Sequence, residues 1–383
     1  MKRKILKHKE KPILVVNQSI GKLFADLTTK LKESNKVEIF KSIEYNRSNY
    51  FLRLFSWLFF SVQLGFHLIF NGKRYKGILI SSNPPFAPLL APLCGVSYSL
   101  LLYDLYPQVI SQINLPNFCF EIIKNIWNCF NRYSFSNTSM IFTLSDEMAD
   151  ELKLYFRSES EWEKKISVIP PWINYKKTKI IVSKKNDFRE GLEVDQRFLV
   201  VYCGNIGLTH PLEYIVEAAS ILEDDSQFLM IGNGQKRKIL ERYTEKLGIS
   251  NRSLRFLNPL SEKDFDLCNL TADIAIVAID GPASMASLPS KTFTSLASGT
   301  PIIAISPKGS TLCKLVNKYN CGLSVEPNQD APKNIIKAIR FFKENPLELS
   351  KFSNNAYQAS SDFSDSNAYK LIKIFLKKID KVL

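Results

Sequence analysis

Lys291 is the residue whose type and position point most directly to chemistry. It stands in Leu288–Ser306, LPSKTFTSLASGTPIIAIS, which reads as loop, short helix, stop and buried strand. Pro289 and Ser290 precede the helix, Gly299 ends it, and Pro301 opens a β-branched run. Lys291 therefore falls in the first helical turn, where the dipole disfavours a cation. A cation set against the dipole implies an anion beside it, and phosphates bind helix N-termini through free backbone N–H groups. The plain alternative is a solvated lysine on an ordinary strand–helix unit.

Two glycine turns offer the same kind of surface. Gly204-Asn205-Ile206-Gly207 joins a strand to a helix near Pro211–Leu222, and Ile231-Gly232-Asn233-Gly234 ends the next strand. Glycine at such a turn admits close backbone approach to a phosphate, although many strand–helix loops carry it only to turn tightly. Asn205 adds a side-chain amide. His210, at the start of the following helix, reads as a cap or as a neighbour of the phosphate. In the first half, Tyr103-Asp104 ends a strand, and Asp104 on its own reads as a turn or cap residue.

The elements that must position these residues repeat through the chain. Strands are predicted at Ile13–Val16, Val37–Phe40, Gly77–Ser81, Tyr98–Tyr103, Met140–Leu144 and Ile166–Ile169. The pattern restarts with Phe198–Cys203, Gln227–Ile231, Ser253–Phe256, Ile274–Ile279, Pro301–Ile305 and Gly322–Val325. Helical periodicity fills most of the gaps, which is the signature of parallel sheets covered on both faces. The fold class is α/β, with two doubly wound, Rossmann-like domains facing a cleft between the carboxyl ends of their strands. Domain bounds are expected at residues 1–172, a polar junction at 173–196, a second domain at 197–365, and a terminal helix at 366–383 packing across domains and crossing back to the first. Its apolar Leu371, Ile372, Phe375, Ile379 and Val382 alternate with lysines.

The chain has 383 residues, a net charge of +14 and a pI near 9.3, so an anionic partner is expected. The charge is spread along the chain without a nucleic-acid motif, which leaves a phosphorylated ligand or an anionic membrane surface. With three histidines no multi-histidine metal site can form. The seven cysteines show no C-x-x-C pair and mostly lie in apolar runs, as buried, reduced, cytosolic thiols do. The basic N-terminus leads into no long apolar core and reads as no signal peptide. Phe51–Phe70 is long enough to span a bilayer. Arg53, Ser56, Gln63 and His67 nevertheless form a polar stripe on it, so it is expected to pack on a sheet or lie partly in a membrane surface.

Together these segments resemble the GT-B glycosyltransferases, and within them family 4 enzymes that build bacterial surface polysaccharides. The matching stretches are SSNPP at 81–85, YDLYP at 103–107, VIPPWIN at 168–174, GNIGLTHPLE at 204–213, IGNG at 231–234, TADIAIVAI at 271–279, LPSK at 288–291 and ASGTPIIA at 297–304.

The resemblance implies a retaining, metal-independent transferase without a cofactor, working on a nucleotide-diphosphate sugar held by the C-terminal domain. Lys291 would neutralise the departing diphosphate, with Gly204, Asn205, Gly207, Gly232, Gly234, Ser290 and Thr294 around the donor. Asp104 would contact sugar or acceptor beside Tyr103, which stands where many members have His. Two family glutamates are replaced, one by Thr294 and an earlier one by Ala286; a threonine cannot hold two ribose hydroxyls with charge. The implied acceptor is lipid-linked or a glycan, at the inner face of the cytoplasmic membrane. The threonine leaves a second reading open: a catalytically weak homologue serving as a binding or regulatory subunit of a polysaccharide assembly complex.

Overall fold

A computed structural model describes residues 11–18, 21–43, 50–106, 117–173, 189–192, 194, 197–208, 210–222, 226–285 and 287–380. The chain divides into two compact units, Met1–Pro171 with Ser366–Leu383, and Trp172–Asp365. Each unit is built on one six-stranded, wholly parallel sheet.

The first sheet contains β1 (Ile13–Val16), β2 (Val37–Ile39), β3 (Gly77–Ser81), β4 (Ser99–Leu102), β5 (Met140–Thr143) and β6 (Ile166–Val168), ordered β2-β1-β3-β4-β5-β6. The second contains β7 (Leu199–Cys203), β8 (Gln227–Ile231), β9 (Leu254–Leu257), β10 (Ile274–Ala278), β11 (Ile302–Ile305) and β12 (Gly322–Val325), ordered β12-β11-β10-β7-β8-β9. All twelve strands expected from sequence are present, each to within one residue at either end. The reason is burial on both faces: β7, β8 and β10 have every residue buried, so their sequences read as unbroken apolar runs. Strand order reverses between β1 and β3 and between β7 and β10. Open α/β sheets bind ligands at such reversals, beyond the carboxyl ends of the strands.

One expectation changes. The described parts of the 173–196 junction are not a loose linker but belong to the second unit. Val194 is buried with Leu199 and Val201, and Ile173 N–H donates to Phe363 O at 2.9 Å. Arg189 donates to Thr271 O at 3.1 Å and pairs with Asp273 at 3.2 Å. The rest of the junction, residues 174–188, 193 and 195–196, lies outside the described residues. The terminal helix, Ser366–Asp380, crosses back to the first unit, as expected: Phe375 and Ile379 lie against Gly77, and Tyr369 Oη donates to Glu33 Oε2 at 3.2 Å.

The apolar segment forms the helix Tyr50–Asn71 in an unusual orientation. Its polar stripe turns toward the first unit. Gln18 Nε2 donates to Ser56 O at 3.1 Å, Gln63 Oε1 accepts from Ser42 Oγ at 2.5 Å, and His67 Nε2 lies 2.8 Å from Tyr75 Oη. Phe60, Leu64 and Leu68 are buried beside that stripe. The opposite face is apolar and open, with Phe55 59%, Phe66 59% and Phe70 79% exposed. A helix of a globular domain normally presents the reverse arrangement. The stretch Leu52–Arg74 is long and apolar enough to cross a membrane by length and composition, and 28% of its most apolar window is buried.

Candidate functional site

In the second unit the loops after β7, β8 and β9 are stitched together at one sheet edge. Gly204 N–H donates to Ile231 O at 2.9 Å, Ile206 N–H to Asn233 O at 2.9 Å, and Gly232 N–H to Leu257 O at 3.1 Å. The Arg237 guanidinium reinforces this edge, with Nη1 donating to Gly232 O at 2.6 Å and Leu257 O at 3.1 Å. Gly232 has φ +138°, and a Cβ there would run into the Gly204 carbonyl oxygen. Gly234 is confined in the same way by the Ile206 backbone. These glycines are required for close packing of one loop on the next.

This limits what the two glycine turns can offer a phosphate. The N–H groups of Gly204, Gly232 and Gly234 are already engaged, the last with Asn233 Oδ1 at 2.9 Å. They shape the turn and do not donate outward. Asn205 stays exposed and carries its amide beside Gly207, while its own carbonyl accepts from Tyr202 Oη at 2.5 Å.

Lys291 reaches the same turn. It opens the helix Lys291–Ala297, and its Nζ lies 3.7 Å from the centroid of the Tyr202 ring. A Cβ on Gly204 would sit 3.2 Å from Lys291 Cε and 3.3 Å from Nζ, so glycine leaves just the space the lysine needs. Nζ is buried and makes no hydrogen bond among the described residues. Burial pushes its pKa down to about 7, opposed weakly by the neighbouring Cys203 thiol. Burial in turn raises Cys203 to about 12. The Tyr202 π face favours the charged ammonium at a desolvated site, by about 2 kcal/mol. The site is therefore a buried amine set against an aromatic ring, without a hydrogen-bond partner among the described residues.

The helix itself contributes less than its sequence implies. Thr292 N–H donates to Pro289 O at 3.0 Å and Phe293 N–H to Ser290 O at 3.2 Å, so these first-turn donors are engaged. Ser290 is exposed, with helical φ −58° and ψ −26°, and its side chain makes no cap. Thr294 is half-buried, one turn beyond Lys291 on the same helix. Ala286 lies outside the described residues. His210 is not the cap of the next helix, which begins at Glu213 with Leu212 before it. Its ring instead stands edge-on to Tyr202 at 6.3 Å, and its carbonyl accepts from Lys236 Nζ at 2.9 Å.

In the first unit a second set of strand ends converges. Ser81 Oγ donates to Asn17 Oδ1 at 2.7 Å, and Gln18 N–H to Asn83 O at 3.0 Å. Ser82 Oγ accepts from Tyr103 N–H at 3.0 Å and Asp104 N–H at 3.3 Å, fixing the bend after β4. Asp104 is exposed, though dense protein around it raises its carboxyl above the usual value. Tyr103 does not reach out: its hydroxyl is buried, without a partner among the described residues, and its ring packs edge-on against Phe24 at 6.5 Å. Burial raises its pKa further, so it serves neither as a base nor as an accessible sugar contact. Pro107, which closes the sequence motif, lies outside the described residues.

Sequence reasoning missed Tyr202, Lys236 and Arg237. The last two follow the Gly232–Gly234 turn directly, and that adjacency was a usable signal. Nothing in the sequence pairs Tyr202 with Lys291.

Comparison with known proteins adds a matching domain and a fold. Residues 183–359 match the family described as Glycosyl transferases group 1. The chain is 24% identical over 312 residues to the "Probable glycosyltransferase WbjE" of Pseudomonas aeruginosa, covering 76% of this chain and 72% of that protein. Among solved structures it is similar to Anabaena HepE in complex with UDP-glucose, with TM-score 0.74 and 15% identity over 96% of this chain and 99% of the other. It is also similar to WaaG, a glycosyltransferase involved in lipopolysaccharide biosynthesis, with TM-score 0.70 and 15% identity over 95% and 99%. The architecture is the two-domain α/β fold of the GT-B type.

Proposed function

From a chain that carries a glycosyl transferases group 1 domain, we propose a retaining glycosyltransferase. It moves a sugar from a nucleoside diphosphate donor to a lipid-linked or glycan acceptor, in cell-surface polysaccharide synthesis. The observation that carries the proposal is the buried, unpartnered Lys291 Nζ against Tyr202 at the Gly204 turn. A diphosphate is the anion that completes it. As the glycosidic bond breaks, negative charge gathers on the leaving phosphate oxygen. A preorganised cation in a dry site stabilises that charge far more than it would in water.

The Asn205 amide and the Ser290 and Thr294 hydroxyls add donors around the same ligand, and the tight glycine turns let it approach the backbone. Lys291 supplies the charge, so the reaction needs no resident metal and a chelator leaves it intact. Asp104, on the first unit, takes the acceptor. HepE is described in complex with UDP-glucose, which makes UDP-sugars the first donors to try.

The proposed location is cytoplasmic, at the inner face of the cytoplasmic membrane. The open apolar face of the Tyr50–Asn71 helix would meet lipid, and Lys73 and Arg74 follow its end. No acidic residue occurs between positions 50 and 74.

Thr294 supports a second reading, a homologue that binds a donor without turning it over, as a binding or regulatory subunit of a polysaccharide assembly complex. A donor-hydrolysis assay with UDP- and GDP-sugars separates the two. The transferase reading expects nucleotide release that falls about 100-fold in Lys291→Ala. Equal release from both proteins contradicts it, and binding without release favours the second reading.

A further inference from the structure

A small recess lies in the first unit at the amino ends of β3, β4 and β5, the sheet edge opposite the one that carries Asp104. The helix Ser366–Asp380 closes its other side through Phe375, Lys378 and Ile379. A Cβ on Gly77 would run into Ile379, so the helix is seated tightly there. The recess holds about 40 Å³ of water-sized space. One ordered water needs roughly 10–15 Å³ on that measure, so the room suits about three waters or one phosphate group.

Its walls are basic. Lys76 and Lys378 line it, and among the described residues no aspartate or glutamate does. Lys165 stands close to them. Burial lowers its pKa, Glu161 opposes that, and the like charge of Lys378 lowers it further. These three lysines are half-buried, whereas Lys73, Lys164, Lys373 and Lys377 are exposed. Each is anchored by a neutral oxygen. Lys76 Nζ donates to Asn35 Oδ1 at 3.1 Å, Lys378 Nζ to Lys164 O at 3.0 Å, and Lys165 Nζ to Ser136 O. None of the three forms an ion pair among the described residues. Glu161 Oε2 accepts instead from Arg157 N–H at 3.2 Å.

The donors are not used up by these bonds. An ammonium has three N–H groups, so each lysine keeps two to give. Ser97 Oγ and Ser139 Oγ lie 2.8 Å apart, which uses one hydroxyl proton and leaves the other free to donate. Lys165 and Lys378 each stand in the last turn of a helix, where a cation suits the dipole. That does not explain why Lys76, just ahead of β3, joins them in a recess without a carboxylate. Like charges gathered in partial burial repel, and an anion of matching size relieves the repulsion.

We propose that this recess binds a phosphate-sized dianion through Lys76, Lys165, Lys378 and a serine hydroxyl, and so fastens the helix Ser366–Asp380 to the amino edge of the first sheet. The volume takes a single phosphate group and not a nucleotide. Lys73 and Arg74 shortly precede Lys76, so a lipid head-group monoester could supply that group as well as free phosphate. The site is independent of Lys291 and of the transferase reading.

The test is calorimetric titration of the full chain with inorganic phosphate at pH 8, with chloride holding the ionic strength constant. Phosphate is expected to bind the wild type and to raise its thermal midpoint. Affinity is expected to fall about ten-fold or more in Lys76→Ala and in Lys378→Ala, and to survive in Lys378→Arg and in Lys291→Met. Ser97→Asp sets a carboxylate at the exposed rim and is expected to abolish binding without lowering the midpoint measured in chloride. No binding beyond chloride, affinity unchanged in Lys378→Ala and Ser97→Asp, or affinity lost in Lys291→Met overturns the proposal. Vesicles carrying phosphatidic acid, against vesicles carrying phosphatidylglycerol, identify the source. A preference for phosphatidic acid that disappears in Lys378→Ala assigns the site to a lipid monoester, and vesicle binding indifferent to Lys378→Ala assigns it to free phosphate.

Discussion

The Lys291 Nζ lies 3.7 Å from the centre of the Tyr202 ring, buried and without a hydrogen-bond partner among the described residues. Tyr202 in turn donates its hydroxyl to Asn205 O at 2.5 Å, so ring, cation and glycine turn form one unit. A strand end and a helix start meet there, from distant parts of the sequence. The arrangement is unfavourable for a lysine alone and favourable for a lysine with an anion, which is why it supports a binding site over a structural one.

Lys291→Met should therefore separate stability from function. Removing a buried group that lacks a partner should stabilise the fold by about 1–3 kcal/mol, while donor binding is lost. Thermal or chemical unfolding read beside a binding assay checks this. A variant destabilised and weakened in parallel would mean that the lysine is structural.

The same lysine gives stability a pH dependence of definite sign. Its folded pKa is lowered to about 7 from 10.5. Between those values the unfolded chain binds more protons, so Lys291 makes the fold more stable as pH rises from about 7 toward 10. Its destabilising effect is full below pH 7. Unfolding free energies measured between pH 7 and 10 should rise less steeply in Lys291→Met than in the wild type. Identical slopes would place the ammonium in water.

The strand framework was legible because both sheets are buried on both faces, so each strand reads as an apolar run ended by a turn. Lys291 and the glycine turns were legible through Gly204, Gly232 and the block around Pro289. Their mechanism was only partly so. The sequence marked the glycine turns as open to close approach, yet whether an N–H there is free depends on the loop beside it, as Ile231 O and Leu257 O show. Tyr103 looked available beside Asp104 but packs inward on Phe24. The orientation of the Tyr50–Asn71 helix was hidden for a related reason. Periodicity identifies two faces and does not say which one the rest of the chain covers.

Gly232→Ala tests the stitched loops. The added methyl meets the Gly204 carbonyl oxygen at φ +138°, so the two turns must separate. A loss of about 3 kcal/mol or more in stability is expected, with donor binding impaired even at low temperature. A neutral substitution would show that the loops are not held this closely.

Thr294→Glu tests the donor pose. If ribose hydroxyls lie one turn beyond Lys291, a carboxylate there should tighten donor binding by about ten- to a hundred-fold, or 1.5–3 kcal/mol. Unchanged or weaker affinity would place the ribose elsewhere.

The open face of the Tyr50–Asn71 helix should carry membrane binding. Flotation with vesicles containing anionic lipid should recover the wild type, less so at high salt, and should recover far less of Phe55→Ser/Phe66→Ser. Equal flotation of both proteins would assign the binding to another surface.

If a nucleoside diphosphate sugar pairs with Lys291, calorimetric titration with UDP-glucose at pH 8, repeated in buffers of different ionisation enthalpy, reads it out. Lys291 is largely neutral there before binding and must be charged afterwards. Binding is expected with uptake of up to about one proton, lost in Lys291→Met. Binding without proton uptake, or unchanged in Lys291→Met, would contradict it.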